Sequence, residues 1–253
     1  MKKHLIISLF LILTCSLRAA ATGFSNESLQ YKVMFKWGLV NKQAGTATLT
    51  LRNDGTRYQT SLVARSQPWA DKIYSVRDTL LGTMQRDGLK PLRYEKRAHE
   101  SSEFKHDVVN FSYLGSRVKG SCNRYVEKKG KVTVNNHKTE LEAYGTTLDM
   151  LSSFYYMRTL PYEKWKPGHT VTVNIFSGKR KELLTIKYHG IETVKSSKRQ
   201  YKCYHITFIF TGENRTKTSD DMDAWISADT RRIPIRLEGS LPVGKVHCIY
   251  DGD

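Results

Sequence analysis

The chain has 253 residues, 41 Lys and Arg against 24 Asp and Glu, and a formal net charge of +17. Roughly 230 residues remain after a leader, enough to bury a real core without disulfide or metal staples. No apolar run beyond the leader is long enough to cross a membrane as a helix, and the positive excess favours anionic partners such as phospholipid head groups, lipopolysaccharide or acidic glycans.

Residues 1–21 carry the three parts of a secretory signal: Lys2, Lys3 and His4, an apolar run from Leu5 to Leu17, and Ala19-Ala20-Ala21 suited to cleavage before Thr22. Thr14 stands where a lipidated cysteine is preceded by a small residue, so Cys15 is read as part of the leader rather than as a lipid anchor. The expectation is a mature protein in the periplasm or outside the cell, starting near Thr22, and export argues against nucleic acid as the anionic partner. The alternative to a binding role is that lysine-rich faces keep edge strands from pairing with other chains.

Alternation begins at once. Leu29, Tyr31, Val33, Phe35 and Trp37 predict a first strand, and Ala47, Leu49 and Leu51 turn through Asn53-Asp54-Gly55 into Tyr58–Ser66 as a hairpin. A strand over Ile73 to Met84, a hairpin of Leu92–Glu100 and Glu103–Tyr113, and weaker strands at Ser116–Lys119, Arg124–Lys128 and Val132–Asn136 follow. Residues Thr146–Leu160 then break the pattern: Leu148, Leu151 and Tyr155 recur at helical spacing, Thr146 with Asp149 reads as a capping box, Arg158 suits a helix C-terminus and Pro161 stops it. The predicted helix buries one face against a sheet, as a plug or lid, and places Ser153 on its other side. Past it come Val171–Phe176, Lys181–His189, Ile191–Val194 after a break at Gly190, Gln200–Thr211, Asp223–Ser227, Ile233–Glu238 and Lys245–Tyr250. The expected fold is all-β: a strongly curved antiparallel sheet, barrel-like or a two-sheet sandwich, with one short central helix, in a single domain spanning 22–253.

Cys122, Cys203 and Cys248 remain in the mature chain. The apolar face of Gln200–Thr211 is Tyr204, Ile206, Phe208 and Phe210, which sends Cys203 and His205 to the other side, whereas Cys248 shares a face with Val246 and Tyr250. Parity therefore opposes a Cys203–Cys248 disulfide and predicts buried free thiols. No Cys/His cluster supports zinc, and no cofactor is expected.

The pieces Gln30-Tyr31-Lys32-Val33 with Ala44-Gly45-Thr46-Ala47, Leu151 to Arg158, and Ala224-Trp225-Ile226-Ser227-Ala228-Asp229-Thr230-Arg231-Arg232-Ile233-Pro234-Ile235 resemble the bacterial domain-of-unknown-function family numbered 3108, from about residue 27 to the C-terminus. The resemblance implies an exported all-β envelope protein and carries over no activity or catalytic residue.

Two sets of residues carry the functional candidates. Tyr155, Tyr156, Arg158, Trp225, Arg231 and Arg232 are candidates for holding an anionic lipid-like or glycan-like ligand; their structural readings are core filling for the tyrosines and an Arg–Asp clamp on a turn through Asp229. His99, Glu100, His106 and Asp107, on facing arms of a hairpin, are the acid/base set of an alternative envelope hydrolase acting on an anionic polymer, against which stands a solvated hairpin. Asp220-Asp221-Met222-Asp223 lacks the glycine and terminal glutamate of a helix-loop-helix calcium site, and no nucleophile elbow, P-loop or H-E-x-x-H is present. The favoured reading is a non-catalytic exported protein that binds such a ligand or assists envelope assembly.

Overall fold

The computed structural model describes residues 23–196, 199–212, 221–241 and 243–252; the leader, Cys15 and Asp220 lie outside them. Among the described residues fifteen strands form one sheet. Eight follow each other as an antiparallel meander: β1 (Glu27–Trp37), β2 (Val40–Asn53), β3 (Arg57–Ser66), β4 (Val76–Gln85), β5 (Pro91–Glu100), β6 (Glu103–Leu114), β7 (Arg117–Lys128) and β8 (Lys131–Tyr144). A one-turn helix α1 (Pro68–Asp71) sits in the β3–β4 connection. The chain then makes a two-residue strand β9 (Thr147–Leu148) and the central helix α2 (Met150–Thr159), and returns through β10 (Thr170–Ser177), β11 (Arg180–Lys195), β12 (Gln200–Gly212), β13 (Met222–Ser227), β14 (Pro234–Ser240) and β15 (Lys245–Tyr250).

The two meanders join where β15 pairs with β1, Tyr31 opposite Tyr250. At the far seam β9 lies parallel to β10, and Asn174 donates its Nδ2 to the carbonyls of Tyr144 (2.9 Å) and Thr146 (3.2 Å), tying the end of β8 to β10. The result is a nearly closed barrel, so the sandwich alternative falls. Closure leaves β8 as the long edge, and Lys131, His137, Lys138 and Glu140 along it are exposed polar groups that discourage pairing with another chain.

Three expectations shift. The weak strands at 116–128 and 132–136 are two long continuous strands, β7 and β8, whose polar residues hide the alternation because β8 meets solvent on both faces. Gly190 does not end a strand; it is a bulge within β11, at φ +126, where the register slips between Tyr188 and Gly190. Ile73 lies in the β3–β4 connection, and α1 makes a second short helix beside the expected one.

α2 begins later than predicted and for a different reason. Thr147 and Leu148 are held extended by β10, so the cap is Asp149: its Oδ1 accepts from the backbone N–H groups of Leu151 (2.7 Å) and Ser152 (2.9 Å), while Ser152 Oγ accepts from Asp149 N (2.8 Å). Ten residues are too few for a stable isolated helix. Here the helix lies inside the barrel, and wall surrounds it: Leu151 and Tyr155 pack with Leu29, Leu49, Leu51 and Tyr94, while Met157 and Leu160 pack with Tyr162, Ile175, Ile186 and Ile206. Ser153, expected on an outer side, is 1% exposed. A two-sided plug, not a one-faced lid, is what the surrounding sheet imposes.

Candidate functional site

The helix fills only part of the lumen. It descends from Asp149 at mid-height toward the barrel end where β1 begins, and the half above it, toward the β3–β4, β5–β6 and β10–β11 connections, holds a cavity of about 490 Å³. Its lining mixes apolar and charged side chains: Leu62 on β3, Leu80 on β4, Phe210 on β12 and Met150 at the helix start stand among Asp78, Lys96, Lys105, Asp107, Arg124, Arg180 and Glu182. Lys96 is the cross-strand neighbour of Leu80, so charge and apolar surface adjoin on the same stretch of wall.

The charges are not equivalent. Arg124 grips Asp107 with two parallel hydrogen bonds of 2.6 and 2.7 Å, and Glu182 accepts from Ser177 Oγ. Lys105 pairs with Glu103 at 2.5 Å. Lys96, half-buried on β5, has no hydrogen-bond or ion-pair partner among the described residues. Asp78 Oδ1 is buried without a hydrogen bond, and burial, reinforced by Glu100, raises its carboxyl pKa against the pull of Lys96. The lumen thus presents a spare ammonium beside a carboxyl already inclined to neutralise.

The residues singled out from sequence fall elsewhere. Tyr155 is fully buried, its hydroxyl donating to Thr50 O at 3.2 Å, and Tyr156 is half-buried between the two core clusters. Arg158 is interior: Nη1 and Nη2 clasp Glu27 at 2.5 and 3.0 Å, Nε donates to Arg232 O at 2.8 Å, Nη2 also to Arg231 O at 3.0 Å, and the rings of Phe24 and Tyr155 lie against its plane. Arg231 and Arg232 form a turn fixed by Asp229, whose Oδ1 accepts from both backbone N–H groups, and Arg232 bonds Leu160 O and Glu163 over the Tyr204 ring. Asp229 thus fixes the turn through backbone N–H groups rather than through the Arg232 guanidinium, which goes to Leu160 O and Glu163.

Trp225 belongs to a ladder across β11–β14, stacked on His205 (4.6 Å, 5° between planes), donating to Glu192 Oε2 at 2.8 Å and covered by Arg236. His205 lies between Glu192 and Asp223, 2.8 Å from each. Asp223, part of the weighed acidic run, is thereby engaged with a histidine.

The hairpin set separates. β5–β6 register places His99 and His106 on one face with Phe104 between them, at 4.2 and 6.3 Å, while Asp107 turns to the lumen and Glu100 accepts from Tyr74. One-residue spacing on a strand sends His106 and Asp107 to opposite faces. His106 instead meets Glu95 at 2.9 Å, between Arg93 and Arg97 at 2.6 Å each. Burial of Glu95 works to raise its pKa, but Arg93, His106 and Arg97 outweigh it and hold it at about 2. A depressed carboxylate pKa contributes stability above the unfolded value and loses it as pH falls through the folded one. Glu95→Gln is expected to cost roughly 1–2 kcal/mol at pH 7, discounted for the half-exposed arginines, with the deficit vanishing by about pH 2; urea titrations across that window check it.

What sequence reasoning missed is the lumen set around Asp107. Lys96, Lys105, Arg124 and Glu182, like Asp107, occupy the inward phase of their strands, and a charge at an inward position is the signal that was available. Among the described residues no three or more His, Cys, Asp or Glu side chains are placed to hold a metal ion, no helix is long and apolar enough to cross a membrane, and Cys122, Cys203 and Cys248 are free thiols.

A β-barrel-like protein of the domain of unknown function DUF1849 from Brucella abortus has a similar structure, with a TM-score of 0.61 at 9% identity over 90% of this chain and 96% of that one. A putative exported protein with a YmcC-like fold from Bacteroides fragilis aligns over 90% of this chain and 97% of its own at 7% identity, with a TM-score of 0.32. The first shows a shared fold and nothing finer. No curated protein matches the chain. The profile of the family described as "Protein of unknown function (DUF3108)" matches residues 30–248, nearly the whole described barrel, and the chain belongs to that family.

Proposed function

We propose that this is an exported, single-domain, non-catalytic envelope protein whose lumen holds an anionic amphiphile. The observation that carries the reading is the cavity above α2, lined by Leu62, Leu80, Met150 and Phe210 together with Lys96, which has no hydrogen-bond or ion-pair partner among the described residues. A volume of about 490 Å³ lies within the range of small-molecule sites. An acyl chain suits Leu62, Leu80, Met150 and Phe210 and an ionised head group suits Lys96 and Arg180; a glycan would leave the apolar side chains unused. The proposed ligand contacts therefore move from Arg158 and Arg232, whose donors are engaged within the chain, to the lumen charges.

Lysophosphatidylglycerol is a suitable probe, because its phosphodiester stays ionised throughout the accessible pH range. Binding followed by calorimetry or by a rise in melting temperature is expected to weaken about tenfold in Lys96→Glu, equivalent to about 1.4 kcal/mol. It is also expected to strengthen as pH falls, since protonation of Asp78 removes a negative charge beside the head group. Absence of binding by the unaltered protein, or equal binding by Lys96→Glu, would refute the proposal.

A further inference from the structure

The exposed apolar side chains are not scattered. Of the eleven large hydrophobics exposed among the described residues, seven lie on three connections or the strand ends that flank them: Leu39 between β1 and β2 with Trp37 and Val40 at the adjoining strand ends, Ile73 and Tyr74 between β3 and β4, and Leu241 and Val243 between β14 and β15. Antiparallel order puts all three connections at one end of the barrel, the end toward which the lumen cavity lies. They also touch. The Gly244 Cα faces Lys36 O and the Trp37 side chain so closely that an added Cβ would stand 2.4 and 3.1 Å from them. Trp69 Nε1 donates to Gln43 O at 2.8 Å, Gln67 N to Ala44 O at 2.7 Å, and Lys42 lies over the Trp69 ring. The result is a continuous rim rather than separate tips.

A lone exposed leucine needs no explanation; a contiguous rim of aromatic and branched side chains does. Leu39 is 105% exposed and Ile73 76% exposed, so both present most of their apolar surface to solvent. Their surroundings are basic. Exposed Lys36, Lys42, Lys72 and Lys245 flank the three connections, and the nearby carboxylates are engaged: Asp71 is bound by Arg77 at 2.6 Å, and Glu100 accepts from the Tyr74 hydroxyl at 3.2 Å and pairs with Lys105 at 3.8 Å. Tryptophan and tyrosine with aliphatic tips, set in a ring of lysines, match the boundary between anionic head groups and acyl chains.

We infer that this rim docks the barrel on an anionic lipid bilayer, mouth toward the membrane. The occupant is the bilayer surface, selected over a second copy by charge: two such rims would set eight lysines against one another. The inference stands apart from the lumen reading, because a rim that grips lipid head groups does not require an amphiphile inside. Together the two would let a ligand pass between bilayer and lumen without crossing water.

The test uses the chain beginning at Thr22, the expected mature form, floated with vesicles of phosphatidylethanolamine and phosphatidylglycerol and, separately, of phosphatidylcholine. The unaltered protein is expected on the anionic vesicles, with retention falling as salt screens the lysines. Leu39→Asp with Ile73→Asp, and separately Lys36→Glu with Lys72→Glu, should lower the bound fraction about tenfold or more at an unchanged melting temperature. Leu114→Asp, on an exposed turn at the opposite end, should leave it unchanged. No flotation of the unaltered protein, or equal flotation of the Leu39/Ile73 variant, overturns the inference. So does a dimer, seen by light scattering, that this variant dissolves while no vesicle binds, which would give the rim to a second copy. Lysophosphatidylglycerol titration of the same variants separates this outcome from failure of the lumen reading, since rim changes should leave lumen affinity intact.

Discussion

Replacing Arg158 with methionine should cost roughly 3–5 kcal/mol, among the largest losses expected from a single change in the central helix. The guanidinium is 1% exposed in its side chain and holds Glu27 together with the carbonyls of Arg231 and Arg232. Methionine keeps much of the volume against Phe24 and Tyr155 but leaves a mostly buried carboxylate and two carbonyls without a donor, and this desolvation penalty, more than the lost attraction, sets the magnitude. A second substitution distinguishes the two terms. Glu27→Gln added to Arg158→Met removes the stranded charge, so the double variant should be more stable than Arg158→Met alone. Urea denaturation of the four proteins in a double-mutant cycle measures it; a double variant no better than the single one would mean that the carbonyls and the helix position dominate.

Leu151→Ala should cost about 3–5 kcal/mol, and lower the melting temperature by roughly 10 °C for a chain of this size. Leu151 is fully buried, and its side chain lies over Gly82, whose missing Cβ lets the first turn of α2 settle on β4: an added Cβ would stand 2.6 Å from Thr60 Oγ1 and 3.4 Å from Leu151 Cδ1. Truncation leaves a void that rigid sheet on one side and helix on the other have little freedom to close. Ser153 is a contrasting case. Its hydroxyl bonds only to Met150 O within the helix, yet the side chain is buried, so Ser153→Leu should destabilise by overpacking whereas the same change on a solvent-facing helix would be nearly neutral.

The element order of this protein is legible in its sequence to an unusual depth, for a local reason. A strand's inward and outward sides alternate with period two, so Leu29–Trp37 and Tyr204–Phe210 announce both their structure and their buried face, and Asn53-Asp54-Gly55 marks its own turn. The parity that set Cys203 apart from Cys248 is the same kind of information. Where the alternation is diluted by charge, as along β8, or broken by a bulge, as at Gly190, boundaries blur even though the strands exist.

The candidate site was legible only in part, because its members come from strands distant in sequence. Arg158 and Arg232 looked available as cations since their partners Glu27 and Glu163 lie 131 and 69 positions away. His106 and Asp107 looked like neighbours in one site, although a strand separates adjacent side chains by its own thickness. Conversely, nothing local distinguishes Lys96 from the other lysines of a basic chain. What the sequence by itself determined was therefore most of the elements and the inward phase of those that alternate cleanly, along with family membership. Only the tertiary structure decided that the sheet nearly closes, that α2 is enclosed on both sides with its arginine spent internally, and that the remaining lumen gathers charged and apolar side chains around one cavity. The division follows from range: periodicity is written in neighbouring residues, whereas closure depends on which strands meet across a barrel, and a buried charge takes its meaning from the partner it meets there.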